Sequence, residues 1–314
     1  MTLHLMLKKA LLACMIVIML MAFVYPFIEQ STPNANATQQ ADKPTTSSIF
    51  SDELNQALDV EVLAAGIDPF APEFEDNYPT PEFAAILDIK TKKQVFFAFI
   101  KHFADQNNTL LLKKREFVQS IQQQLHTLEQ DLAPSDTLDS MLWADFVSQH
   151  LTASQTKKLD FLVAEYRITE SLALAVIDRL LLRINTIPVE LIQVQTANES
   201  GWGTSRFAIQ GHNYFGLWCY RKGCGFVPSQ RDSGASHEVA KFSSPAEGMY
   251  QYVRNLNRNR AYRQLRKTRE SMPSGSDSFT DAMLLTQTLG AYSQRGDDYI
   301  AELQSMLRVN KPYF

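Results

Sequence analysis

Apolar residues recur every three or four positions through the first half of the chain, the spacing that gives an α-helix one apolar face. The pattern is clearest from Phe117 to Leu132, and shorter stretches follow it at 92–106, 137–150, 155–165 and 170–184. No alternating pattern of useful length indicates a strand here. The spacing therefore predicts a helical N-terminal region over 81–184, which is most simply interpreted as a structural layer.

The second half begins with Pro188 at the first position of a predicted helix that runs to Ser200 and ends at Gly201. Seven of the twelve glycines lie between Gly201 and Gly234, so a loop-rich insertion follows this helix. The capping box Ser244-Pro245-Ala246-Glu247 then opens a helix that extends towards Leu265. Two closing helices are predicted at 280–289 and 297–309. We expect a mainly helical domain at 185–314 whose glycine-rich insertion carries function.

The N-terminus has the pattern of a targeting segment. Lys8 and Lys9 precede an apolar run over 10–27, and the tripeptide Ala35-Asn36-Ala37 follows a polar stretch. These features predict a signal peptide at 1–37 that is cleaved after Ala37. The run is also long enough to remain as a membrane anchor. A flexible or irregular linker is predicted over 38–80, so the protein is expected to be exported.

Charge is distributed unevenly along the chain. Residues 201–270 hold twelve Lys/Arg and four acids, a net charge of +8, although the whole chain carries −4 and the remainder therefore about −12. A basic region on an acidic protein indicates an anionic polymer as partner, either nucleic acid or the bacterial wall with its peptide carboxylates. Solvated helix faces are the alternative interpretation.

Two cysteines remain outside the export segment, Cys219 and Cys224. In an oxidising compartment they are expected to form a disulfide that closes a tight loop, with free thiols as the alternative. Two cysteines do not make a structural zinc site, and no His/Cys/Asp cluster has ligand spacing. No metal and no cofactor are therefore predicted.

The candidate chemistry lies at the end of the helix that begins at Pro188. Glu199 follows an apolar helix and precedes Gly201-Trp202-Gly203, which indicates a carboxyl at the edge of a cleft. Apolar surroundings raise the pKa of such a group, and a protonated glutamic acid can donate to a glycosidic oxygen. Four nearby aromatic residues are candidate platforms for sugar rings: Trp202, Tyr214, Phe215 and Trp218. Alternatively, Glu199 caps the helix or forms a salt bridge, and the aromatic residues belong to the core.

A resemblance to a known family bears on this choice. The string Glu-Ser-Gly-Trp-Gly at 199–203, with Asn-Tyr-Phe-Gly at 213–216, is similar to the N-acetylglucosaminidase family of lysozyme-like peptidoglycan hydrolases. Further blocks at 216–228, 252–257 and 292–296 resemble the Bax-type proteins of Gram-negative bacteria. The resemblance implies a lysozyme-like α+β fold, mainly helical, with a glycine-rich loop or small hairpin insertion.

The same resemblance implies roles for individual residues. Glu199 matches the family's catalytic glutamate, and Asn213, Phe215 and Gly216 match a turn that shapes the cleft floor. Tyr292 matches a tyrosine beside the active site, although packing between the last two helices would also explain it. The family's second carboxylate has no convincing counterpart, and the candidates for an assisting base are Asp232 and Glu238. Attack by the substrate's own N-acetyl group is the alternative.

The expected function is an endo-β-N-acetylglucosaminidase that cleaves the β-1,4 bond after N-acetylglucosamine, with Glu199 as general acid. A lytic transglycosylase and a non-catalytic wall-binding protein are the alternatives. The expected partner is the glycan strand of peptidoglycan, and not nucleic acid. The protein is expected to be a periplasmic monomer, with the N-terminal segment as an optional anchor in the inner membrane.

Overall fold

The computed structural model describes residues 68–70, 78–128, 137–228, 237–273 and 275–314. The predicted signal peptide, most of the predicted linker and the candidate base Asp232 lie outside these residues. Within them, no helix combines the length and the apolar content that crossing a membrane requires.

The described residues are mainly helical, with one small sheet, so the predicted fold class is confirmed. The α-helices are α1 (Ile89–Leu128), α2 (Trp143–His150), α3 (Ala153–Glu165), α4 (Ala173–Arg183), α5 (Val189–Ser200), α6 (Arg206–Gly211), α7 (Pro245–Arg258), α8 (Arg263–Glu270), α9 (Ser278–Thr286) and α10 (Asp297–Asn310). The strands are β1 (Trp218–Cys219), β2 (Gly225–Phe226) and β3 (Glu238–Ala240).

Helix α1 is one continuous element of 40 residues, about 60 Å long at 1.5 Å per residue. The Asp88 carboxylate caps its first turn by accepting from the Thr91 amide at 2.7 Å. The prediction of separate helices at 92–106 and 117–132 was wrong, because neither glycine nor proline interrupts 89–128.

Helix α1 is tied to its neighbours by a buried charge cluster. The ammonium of Lys114, which is 0% exposed, lies 2.9 Å from Glu165 in α3 and 2.7 Å from Asp68. The hydroxyl of Tyr250 in α7 also donates to Glu165. A buried ammonium requires such partners because it has left water. The cluster joins residues 68–70, α1, α3 and α7.

Helix α5, which carries Glu199, lies in the middle of the helical core and packs against α1, α9 and α10. Polar as well as apolar residues of α5 are buried, so its surroundings and not one apolar face determine its position. The Gln193 side-chain amide, for example, donates to the Phe97 carbonyl of α1 at 3.0 Å. Pro188 is the N-cap and not the first helical residue, so the helix begins one position later than predicted, and Gly201 ends it at φ 57°.

The glycine-rich insertion forms a three-stranded antiparallel sheet in the order β1-β3-β2. Gly225 is required in β2, because a Cβ there would lie 1.9 Å from the Val239 carbonyl oxygen. The predicted disulfide between Cys219 and Cys224 is confirmed and closes the loop between β1 and β2. The insertion is therefore a small cross-linked lobe.

Helix α7 begins as predicted, with the Ser244 hydroxyl accepting from the Glu247 amide at 3.2 Å. The Glu247 carboxylate reaches Ser243, whose amide donates to it at 2.7 Å. The helix ends at Arg258 and not near Leu265, because the Asn259 side chain caps a new turn that leads into α8.

Four arginines of the basic segment, residues 201–270, are buried: Arg254, Arg258, Arg266 and Arg269. Arg269 donates to the carbonyls of Asn185 and Thr186 at 3.1 and 3.0 Å, just beyond the end of α4. Burial lowers the pKa of both Arg266 and Arg269 to about 9. For these four side chains the interpretation as solvated helix faces was wrong, and they are unavailable to an anionic polymer.

Candidate active site

Glu199 lies in the last turn of α5 and is half-buried, with part of its surface open to solvent. The turn after it has a left-handed backbone at Gly201 and Trp202, whose φ angles are 57° and 58°. This tight exit turns the chain away at once and leaves the carboxyl at the helix end. The predicted position of the carboxyl at the helix end agrees with the geometry, and its place at the edge of a cleft stays a prediction.

A directional chain of hydrogen bonds ends on this carboxyl. The hydroxyl of Tyr252 in α7 donates to Gln195 Oε1 at 2.5 Å, and Gln195 Nε2 donates to the Tyr299 hydroxyl at 3.1 Å. Tyr299 in α10 donates in turn to Glu199 Oε1 at 2.8 Å. Tyr252, Gln195 and Tyr299 are buried. We call these three residues the relay. It fixes one oxygen of Glu199 as an acceptor.

The surroundings of Glu199 raise the pKa of its carboxyl. Burial is the largest cause, because it disfavours the charged form. The hydrogen bond from Tyr299 and the positive charge of Arg295 act in the opposite direction, and the negative charge of Glu302 raises the pKa further. The net effect favours the protonated acid, as a proton donor requires.

The other oxygen of Glu199 faces the turn at 213–216. Gly216 has φ 64°, and a Cβ on it would lie 2.9 Å from Glu199 Oε2. Glycine is therefore required at position 216 for two reasons, the left-handed backbone and the close approach of the Glu199 carboxyl. Four hydrogen bonds of the buried Asn213 side chain hold the turn, two of them donated to the carbonyls of Leu217 and Ala240 at 2.8 and 2.9 Å. Asn213 thus acts as a scaffold for the turn.

Tyr292 supports this turn and the relay without contacting Glu199 through a hydrogen bond. Its hydroxyl donates to the Phe215 carbonyl at 2.7 Å, and its ring stacks on Tyr299 at 5.9 Å between centroids. The two interpretations made from the sequence, a place beside the active site and packing near the last helices, both describe this position.

The candidate sugar platforms have different environments. Tyr214 and Phe215 are each 1% exposed, with Phe215 stacked on Tyr252 at 4.6 Å. The expectation that these two rings contact sugar is therefore corrected, because protein covers them. Trp202 is half-buried and packs on Phe97 at 5.2 Å. Trp218 alone of the four is 40% exposed.

Trp218 is positioned by a stacking contact. Its indole lies 4.0 Å from the His237 ring, with an angle of 16° between the planes. Strand β1, which it begins, follows Gly216 by one residue. The exposed indole is thus held on the strand that follows the turn at 213–216, which faces Glu199.

Glu238, proposed as an assisting base, is buried in β3 and accepts from two backbone amides. Its oxygens lie 2.9 Å from Gly223 N and 2.8 Å from Gly225 N. The donor atoms of Cys219, Cys224 and Glu238 lie within 4.8 Å of one another, but the two sulfurs are joined as the disulfide. These contacts give Glu238 a structural part in the disulfide loop.

Sequence reasoning missed the relay and both charges near Glu199. Gln195 lies four residues before Glu199 on the same helix face, which is a local signal that was available. Tyr299 and Tyr252 are about 100 and 50 positions away, and only the tertiary fold brings them together. Arg295 and Glu302, which form an ion pair, flank Tyr299 on either side along the chain.

Comparisons with known proteins agree with this picture. The family described as glucosaminidase, mannosyl-glycoprotein endo-beta-N-acetylglucosaminidase, matches residues 178–311. The chain is also similar to the protein Bax of Escherichia coli (strain K12), with 34% identity over 132 residues, 42% of this chain and 46% of Bax. The match thus spans about half the length of that relative. No solved structure matches the chain.

Proposed function

Residues 178–311 match the glucosaminidase family and the chain is similar to Bax, and from this likeness we propose that the protein hydrolyses the glycan strands of peptidoglycan. The proposed cut is at the β-1,4 bond after N-acetylglucosamine, which makes the protein an endo-β-N-acetylglucosaminidase. Glu199 is the proposed general acid.

One observation carries the proposal: Glu199 is a half-buried carboxyl with two unlike oxygens. Oε1 accepts from Tyr299, so the acid proton belongs on Oε2, which faces the Gly216 turn. An acid whose pKa is raised by burial retains this proton towards neutral pH and can transfer it to the departing sugar oxygen. Gly216 leaves room at Oε2 that any other residue would fill.

The second half of the reaction needs a group that acts at the anomeric carbon. Asp232 and Glu238 were the candidates, and backbone donors already occupy the oxygens of Glu238. This contact favours the remaining routes, in which Asp232 activates water or the substrate's own N-acetyl group attacks. Trp218 is the proposed sugar platform because its ring is exposed beside the turn.

The same observation on Glu238 supports a second candidate, a lytic transglycosylase. Such an enzyme uses one acid and no activated water, and it leaves an anhydro sugar. The mass of the products distinguishes the two, because an anhydro end is lighter by one water.

The proposed location is the periplasm, with the N-terminal segment either removed or retained as an anchor. The disulfide supports export, because such bonds persist in oxidising compartments. The proposed form is a monomer.

The test is release of reducing sugars from purified peptidoglycan by the wild type and by Glu199→Gln. The glutamine can still accept from Tyr299, so we expect intact folding, continued wall binding and no hydrolysis. Glu190→Gln on the same helix is the matched control and is expected to keep full activity, because Glu190 binds only the Ser278 hydroxyl among its described contacts. Activity retained by Glu199→Gln would contradict the proposal. Wall binding without turnover by the wild type would indicate a non-catalytic protein instead.

A further inference from the structure

Four cationic side chains of the basic segment remain at the surface of the small lobe: Arg206, Arg221, Lys222 and Lys241. Arg206 begins α6, the next two lie within the disulfide loop, and Lys241 follows β3. We call these four residues the cationic surface.

Shared contacts hold the cationic surface together. The guanidinium of Arg206 and the ammonium of Lys241 lie 5.7 and 5.2 Å from the centre of the same ring, that of Phe226. The Lys241 amide donates to the Cys224 carbonyl at 3.2 Å, which fixes this residue against the disulfide loop that carries the other two cations. The cations thus belong to one cross-linked unit.

Among the described residues of the lobe, no exposed acid compensates the positive charge of this surface. Glu238 is the one acid in the described residues of 201–246, and it is buried on two backbone amides. In the described part of the chain, none of the four cations forms an ion pair with a carboxylate. A local positive surface on a chain of net charge −4 is suited to an anionic ligand.

The lobe that carries these cations is joined to the turn at 213–216, which faces Glu199. Asn213, within the turn, donates to the Ala240 carbonyl at 2.9 Å, one residue before Lys241. Gly216 of the same turn lies so close to Glu199 that a Cβ on it would be 2.9 Å from Oε2. A glycan strand held at Glu199 would therefore bring its substituents to this lobe.

We propose that the cationic surface binds the carboxylates of the peptide stems on the glycan, which makes peptide-bearing strands the preferred substrate over bare strands. This inference rests on the proposed function, because a strand must lie at Glu199 for its stems to reach the lobe. The peptide stems place carboxylates at intervals along the strand, and these negative charges complement the four cations.

The test measures affinity in the Glu199→Gln background, where no strand is cut. Fluorescently labelled glycan strands are used either with their peptide stems or after an amidase has removed the stems, with the lactyl carboxylates that this cleavage leaves on the strand capped as methylamides. For Arg206→Glu with Lys241→Glu, the affinity for peptide-bearing strands is expected to fall about tenfold or more, and the preference over bare strands is expected to disappear. Arg221→Gln with Lys222→Gln, in the exposed loop, is a milder second variant in which the preference is expected to fall in the same direction.

Arg263→Glu with Lys267→Glu is the matched control, with the same charge change on two exposed cations of α8. It is expected to keep the preference of the parent. Equal affinity of the parent for both kinds of strand, or an equal loss in the control, would overturn the inference.

Failure of the two proposals can be told apart. If the chain with Glu199 intact cuts both kinds of strand with equal kcat/KM, the inference fails and the proposed function stands. If that chain cuts neither kind but the affinity preference is present and depends on the cationic surface, the hydrolytic function fails and stem recognition stands.

Discussion

Tyr299→Phe removes the hydroxyl that donates to Glu199 Oε1 at 2.8 Å and leaves the ring in place. A hydrogen bond to a charged group contributes about 1.5–3 kcal/mol, and here it favours the ionised carboxylate. Without it, burial raises the pKa of Glu199 further. Because the acid must be protonated to act, activity is lost as pH rises through this pKa.

Two changes in the pH profile of kcat/KM for wall hydrolysis are therefore expected. The alkaline limb moves to higher pH. On the acidic side the rate falls, by about tenfold if roughly 1.4 kcal/mol of orientation is lost, because Oε2 no longer has a fixed direction.

Tyr292→Phe is the control, because its hydroxyl donates to the Phe215 carbonyl and not to Glu199. We expect some loss of rate through a looser 213–216 turn, with the alkaline limb where the wild type has it. An alkaline limb that stays in place in Tyr299→Phe, or that moves equally in both variants, would refute the reasoning.

Three further predictions concern stability and the turn. Burial raises the pKa of Glu199 in the folded state, so the contribution of this carboxyl to stability is present at low pH and is lost as pH rises and the buried group ionises. Glutamine cannot ionise. Glu199→Gln should therefore increase the free energy of unfolding at pH 7 and change it less at pH 4, as measured by denaturant titration. Phe83→Ala should lower that free energy by about 3–5 kcal/mol, because the buried ring packs on Gly203; a loss below about 1 kcal/mol would mean that this contact is not formed. Gly216→Ala should reduce hydrolysis at least tenfold, because φ 64° costs about 1–2 kcal/mol for alanine and the Cβ meets Glu199 Oε2; wild-type kcat/KM would contradict this.

Features that depend on a few neighbouring residues, such as helix ends and caps, were predicted from the sequence. Gly201 at the end of α5 and the Ser244 cap of α7 follow from rules that involve only a few neighbouring residues. The disulfide was also predictable, because two cysteines five positions apart have few other partners in a chain that the sequence predicts to be exported. The absence of a helix breaker in 89–128 was visible in the sequence as well, although it was interpreted as two helices.

Long-range contacts were beyond such rules. Tyr299 reaches Glu199 across 100 positions, and no short pattern encodes this pairing. The aromatic residues of the glycine-rich segment were equally ambiguous, because a loop position does not reveal whether a ring such as Phe215 turns inward. The burial of Arg269 is a third case, since its partners are carbonyls that become available only where α4 ends.

The central claim is that Glu199 donates a proton while water completes the cleavage after N-acetylglucosamine. Digestion of purified peptidoglycan in ¹⁸O-labelled water, followed by mass spectrometry, tests it most directly. We expect the wild type to produce N-acetylglucosamine reducing ends that each carry one ¹⁸O, and Glu199→Gln to produce none. Anhydro-muramyl ends without label, or labelled ends formed equally by the variant, would contradict the account.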